Sequence, residues 1–142
     1  MVTGGEGNRM NASEKATSFD TASKIATAVN LFKREFPGVT ANLHPWANDR
    51  ETLEHIDPDS IDLGFNFPPG KTLVQLRFAG DRLIGIDAVC FGLFNNQRWR
   101  FSTVADWEFL GATPPLNGFC DKFRRVCRQL FDVFNESADI AS

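Results

Sequence analysis

The chain has 142 residues, 42% of them hydrophobic and 23% charged, ordinary values for a folded domain that exclude a disordered, collagen-like or fibrous chain. Its formal net charge of −3 argues against a general binder of nucleic acid or anionic membranes, since both need a surplus of Lys and Arg against phosphates. No apolar run reaches the length that spans a bilayer, and the opening MVTGGEGNRMNASEK lacks the basic-then-apolar layout of a secretory signal, so a cytoplasmic protein is expected.

Residues 1–14 carry Gly, Ser, Asn and charge without apolar periodicity, and read as a flexible arm ahead of a single α+β domain over 15–137, with a frayed tail at 138–142. Ala22, Ile25, Val29, Phe32 and Phe36 recur at three- and four-residue steps, which predicts an amphipathic helix over about 20–36. Lys33 and Arg34 suit its negative C-terminal end, and Pro37-Gly38 stops it. Val39 to Trp46 reads as an edge strand containing Pro45, Asn48 to Ile56 as a turn or two of helix, and Ile61 to Phe67 as a second short strand.

The strongest β signal spans Thr72 to Val104. Thr72–Ala79, Arg82–Leu93 and Gln97–Val104 are rich in β-branched and aromatic residues, and are separated by Gly80-Asp81 and Asn95-Asn96, both natural hairpin loops. A three-strand meander over 72–104 follows, within an antiparallel sheet of about four or five strands. With strict two-residue loops, Val74, Leu76, Phe78, Leu83, Val89, Phe91 and Leu93 share a face with Arg98 and Arg100, a poor core. One bulged residue near Gly92 instead puts Trp99 and Phe101 with the apolar set and moves both arginines beside Gln75 and Arg77.

Ala105 to Pro115 reads as a connection that Trp107, Phe109 and Leu110 fold back over the core. Leu116, Phe119, Phe123, Val126, Cys127, Leu130 and Phe134 keep helical spacing and predict a second helix over about 116–135, with Asn117 as its cap, Asp121 in its first turn, and Lys122, Arg124, Arg125, Arg128 and Asp132 on wetter sectors.

The chemistry-bearing residues form no catalytic or cofactor signature. Cys90, Cys120 and Cys127 are an odd number in a chain large enough for its own core, and read as reduced core thiols. Cys120 and Cys127 stand two helical turns apart, about 10 Å, too far to chelate one ion, so no metal site is expected with His44 or His55. Asp57, Asp59 and Asp62 lack the Gly and Glu of a calcium loop and read as a turn containing proline. Gly4-Gly5-Glu6-Gly7 follows no strand, so no phosphate cradle is expected there, and no cofactor is called for. Asp87 interrupts an apolar strand and needs a partner, with Arg98, Arg100 or an early-strand residue as candidates. A functional acid working with His44 or His55 is the alternative.

The sequence includes 14 Phe and 3 Trp but no Tyr. Rings without polar handles belong in a core, or on an uncovered face that meets an apolar partner. The reading that follows is a non-enzymatic protein-interaction or regulatory module. It would dock a protein partner or a second copy of itself, as a homodimer, through a mixed apolar and basic sheet face formed by Arg77, Arg98, Arg100, Ile84 and Ile86, flanked by Leu73. The alternative is a carrier that holds a small apolar or aromatic ligand between sheet and helices.

Overall fold

The computed structural model describes residues 19–43, 60–67, 70–92, 94 and 96–136. Helix α1, Phe19–Glu35, leads into a six-stranded antiparallel sheet with strands in sequence order. The strands are β1 Thr40–Asn42, β2 Ser60–Phe67, β3 Gly70–Ala79, β4 Arg82–Phe91, β5 Gln97–Ser102 and β6 Glu108–Leu110. Helix α2, Asn117–Phe131, follows and ends in a π-helical turn over Asp132–Glu136. The fold is α+β, with helices before and after the sheet. The expected arm, the tail, the helical turns at 48–56, His44, His55, Asp57 and Asp59 lie outside the described residues.

The helix boundaries follow local chemistry. Lys33 and Arg34 occupy the last turn of α1, where a cation meets the free carbonyls. The α1 stripe is buried at Ile25, Ala28, Leu31 and Phe32, while Ala22 is exposed. At the start of α2 the expectation needs correction. Leu116 takes the N-cap position without a side-chain cap bond, so Asn117 is the first helical residue and not the cap. Leu116 is also 84% exposed, because an extended cap residue points away from the stripe that begins one turn later. Asp121 falls just past the first turn, which holds no acid, and pairs instead with Arg124 at 3.6 Å.

The core is a slab of rings between the inner sheet face and the two helices. Phe32 of α1 sits 4.5 Å from Phe65 and 5.5 Å from Phe123, centroid to centroid. Phe123 of α2 also meets Phe101 at 5.2 Å and Phe109 at 5.7 Å. Trp99 adds an edge contact to Phe109 at 5.1 Å, and Phe36 reaches Phe67 and Phe119 at 4.8 and 5.0 Å. Edge-to-face and offset pairs of this kind add to the area term of burial, which alone is about 1.5–3 kcal/mol for a fully buried Phe. The helices are tied at their rim by an ion pair between Arg125 and Glu35.

Two bulges set the register. The first falls near Gly92, where one was expected: Cys90 pairs with Trp99 and Phe91 with Gln97, so Arg98 is the extra residue on β5, but Val89, expected to share a face with Trp99 and Phe101, opposes Arg100 instead. The second falls between β3 and β4. Phe78 pairs with Leu83 and Arg77 with Gly85, leaving Ile84 unopposed. This bulge reverses the assignment made for strict pairing: Ile86, Ala88 and Cys90 face the core, whereas Val89 and Phe91 turn to the outer face. Its physical cause is Asp87. Without the extra residue Asp87 would oppose Val74 inside the ring slab, where a carboxylate has no partner. With it, Asp87 opposes Gln75 on the outer face.

The bulge is held from two sides. The Asn135 side-chain amide, in the π turn, donates to the Leu83 carbonyl at 2.9 Å and accepts from the Leu83 N–H at 3.0 Å, serving Leu83 as a neighbouring strand would. The Thr103 hydroxyl accepts from the Ile86 N–H at 3.0 Å, and the Thr103 N–H returns a bond to the Ile86 carbonyl at 3.0 Å. These bonds fix Leu83 and Ile86, the residues on either side of the bulged Ile84–Gly85 step.

The segment expected as a plain connection holds β6. Its Phe109 pairs with Phe101, and Trp107 packs at 6.1 Å from Phe101 and 6.0 Å from Phe131. Leu110, expected to cover the core, is 52% exposed, because Phe109 takes the inward position and strand alternation turns Leu110 out. In the turn before β6, Asp106 and Trp107 adopt φ of 63° and 60°, a left-handed conformation that costs roughly 1–2 kcal/mol for each residue with a β-carbon. The Trp107 carbonyl accepts from Arg124 Nε at 3.0 Å, which holds the strained turn against α2.

Candidate functional site

The outer sheet face, opposite the helices, carries Arg77 and Arg100 of the sequence-predicted residues. Register places them in cross-strand rows. One row runs Asn42, Gly64, Leu73, Val89, Arg100, Leu110; the next runs Asp62, Gln75, Asp87, Ser102, Glu108. On either side stand Lys71, Phe91 and Gln97, and then Ser60, Arg77 and Gly85.

The face divides into a closed half and an open half. On β2 and β3, Ser60, Asp62 and Leu73 are buried, and the Ser60 hydroxyl donates to Asp62 Oδ1 at 2.5 Å. On β4 to β6, Arg100 is exposed and Val89 and Phe91 are half-buried. Ile84, Val104 and Leu110 are exposed apolar residues of the same half. Val104 leans over Gly85, where a β-carbon would stand 3.2 Å from Val104 Cγ2.

Of the partners considered for Asp87, the one that takes it is Arg77, at 2.9 Å to Oδ2, and not Arg98 or Arg100. Asp87 Oδ1 is buried and has no hydrogen-bond partner among the described residues. Arg77 remains 42% exposed at its side chain, so the pair is a partly screened surface bridge and contributes under about 1 kcal/mol.

The predicted surface residues therefore separate. Arg77, Arg100 and Ile84 stand on or at the rim of the outer face. Arg98 is the bulged residue of β5, half-buried. Ile86 is fully buried in the core and contributes nothing to any surface, a correction caused by the bulge at Ile84. Val89, Phe91 and Leu110 were missed. The signal that finds the first two is Asp87 itself: a carboxylate that must face out carries Val89 and Phe91 out with it, two and four residues on.

The three cysteines are buried and free. Burial raises the thiol pKa of Cys90, Cys120 and Cys127, most strongly for Cys127, so none is poised as a thiolate. Among the described residues no group of three or more His, Cys, Asp or Glu is arranged to hold a metal. No helix among them is long and apolar enough to cross a membrane.

A family model described as a domain of unknown function matches residues 13–136. The chain belongs to that family. The match runs from ahead of α1 to the end of the π turn, so the family pattern takes in both helices and all six strands. No curated protein and no solved structure matches the chain.

Proposed function

We propose that this family member is a non-enzymatic protein-interaction module whose open outer half-face, on β4 to β6, docks a second copy of the chain. The carrying observation is the composition of that half-face. Val89, Phe91, Leu110 and Val104 supply apolar area, while Arg100 in one row and Asp87 and Glu108 in the next supply both signs of charge. A face that presents both signs in adjacent rows can complement itself about a two-fold axis, which a face of one sign cannot do. The exposed apolar residues are those an interface core uses, with charges at the rim. The carrier reading gains no comparable support, because rings in mutual contact fill the layer between sheet and helices where its ligand would sit. A reducing, cytoplasmic setting fits three buried free thiols.

Size-exclusion chromatography with light scattering across a concentration series tests the proposal. The expected result is a concentration-dependent rise toward twice the 15.8 kDa mass, weakened at least about tenfold in Val89→Asp, because an interfacial carboxylate has to be desolvated against the partner. A chain that stays monomeric up to about 1 mM, the weakest useful affinity, overturns it.

A further inference from the structure

We infer that the β6 edge is a docking strip for an extended acidic segment of another protein, which adds to the sheet as a seventh strand. The inference rests on reading the domain as an interaction module, and names a second partner by its chemistry. β6 closes the sheet order, so its outward backbone groups have no strand neighbour among the described residues. An added strand supplies the missing ladder bonds, and its side chains select against the charges along the rim.

Those charges come from two arginine groups that are distant in sequence and meet at this edge. On the outer side, Arg100 is the cross-strand neighbour of Leu110, and Arg98 is pinned nearby, its carbonyl accepting from the Thr113 N–H at 2.9 Å. On the helix side, Arg124 lies 5.3 Å from the Phe109 ring centroid and Arg128 5.6 Å from that of Trp107. Arg124 is already engaged, with Glu108 at 3.7 Å and Asp121 at 3.6 Å. Arg98, Arg100 and Arg128 make no ion pair among the described residues. A chain of net charge −3 thus concentrates uncompensated cations on both flanks of one short edge.

Charged residues on an edge repel strands in general. Cations on both flanks repel basic strands, cost desolvation against neutral ones and attract an acidic one, so the same side chains that guard the edge also select its occupant. A polynucleotide fits less well, since it has no backbone N–H and C=O groups in strand register and the whole chain repels it. Arg128 stands over the Trp107 ring, which restrains its guanidinium and lowers the ordering cost of binding.

The probe is a fluorescein-labelled peptide of alternating glutamate and valine, about eight residues long, enough for one strand. It is compared with a lysine–valine peptide, a glutamate peptide with proline at its centre, and an oligothymidylate, using fluorescence anisotropy and amide chemical-shift mapping. The expected result is saturable binding of the glutamate–valine peptide only, with shifts centred on Glu108, Phe109 and Leu110. Binding weakens about fivefold or more in Arg128→Glu and on raising salt from about 50 to about 300 mM. Equal binding of the proline peptide or of the oligothymidylate overturns strand addition, and so does an absence of saturable binding or a set of shifts away from β6. Arg128 stands on the helix side, so R128E leaves the outer-face dimer intact. Loss of peptide binding with dimerisation retained, or the reverse, separates this inference from the proposed self-association. Arg128→Gln, which removes the charge without reversing it and keeps a polar donor, is expected to show a smaller loss than R128E; an equal loss in both overturns the charge argument.

Discussion

Replacing Asn135 with alanine removes two hydrogen bonds that hold the bulge of β4, those to the Leu83 N–H at 3.0 Å and to the Leu83 carbonyl at 2.9 Å. Leu83 is 1% exposed, so both backbone groups lose their partner where water reaches them poorly. A buried group left unpaired costs about 1–3 kcal/mol; with partial access of water after truncation, the expected loss for the two is about 2–4 kcal/mol. In a chain of this size that lowers Tm by roughly 6–12 °C. Urea unfolding followed by circular dichroism measures it, and amide exchange at Leu83 and Ile86 localises it. Aspartate at the same position sharpens the test. Its carboxylate keeps the acceptor but turns a second acceptor toward the Leu83 carbonyl, so N135D is expected to be at least as unstable as N135A at pH 7. The protonated acid restores a donor, which places its folded pKa above the unfolded value of about 3.9. Its deficit relative to the native protein is therefore smallest below that value, and grows as pH rises through the folded pKa. An N135A variant within about 0.5 kcal/mol of the native protein, the ordinary scale of a surface change, refutes the role assigned to this amide.

Phe123 is fully buried and touches rings on α1, β5 and β6, so Phe123→Ala is expected to cost about 3–5 kcal/mol in urea unfolding, a loss that α2 cannot repack. Burial raises the Cys127 thiol pKa, and those of Cys90 and Cys120 also rise. Because the folded values exceed the unfolded one of about 8.5, stability is full below that pH and declines above it as the unfolded thiols ionise; Cys127→Ala is expected to flatten that alkaline decline, read from unfolding midpoints between about pH 7 and 10. Gly111 has φ of 145°, and a β-carbon there would stand 2.5 Å from the Arg98 carbonyl oxygen, so Gly111→Ala is expected to cost at least about 2 kcal/mol and to loosen β6, seen as faster amide exchange at Phe109. Arg77→Ala, by contrast, is expected to cost under about 1 kcal/mol, with a smaller difference in about 1 M salt, because the Arg77–Asp87 bridge is partly exposed and screened.

The sequence by itself determined the two long helices, the central strands and the helix-borne part of the core. The stripe Ile25, Phe32 on α1 and the stripe Phe123, Val126, Leu130 on α2 are helical phases that only a packed face requires, and all of these residues are buried. The meander followed from alternation; a bulge near Gly92 is present, but Val89 opposes Arg100, and the shift that sets Trp99 and Phe101 beside Val74 and Leu76 is the one at Ile84. Tertiary structure decided the rest. The second bulge, at Ile84, is flanked by bonds to Leu83 and Ile86 from groups far away in the chain, Asn135 and Thr103. No periodicity within β4 announces such partners, and a shift of one residue exchanges every side chain between core and surface. That exchange moved Ile86 inside and Val89 and Phe91 out, so the candidate surface was recoverable as a face but not as a set of residues. The edge at β6 escaped for the same kind of reason: three residues are too few for a pattern, and the strand exists because Phe109 finds Phe101 beside it and Phe123 beneath it.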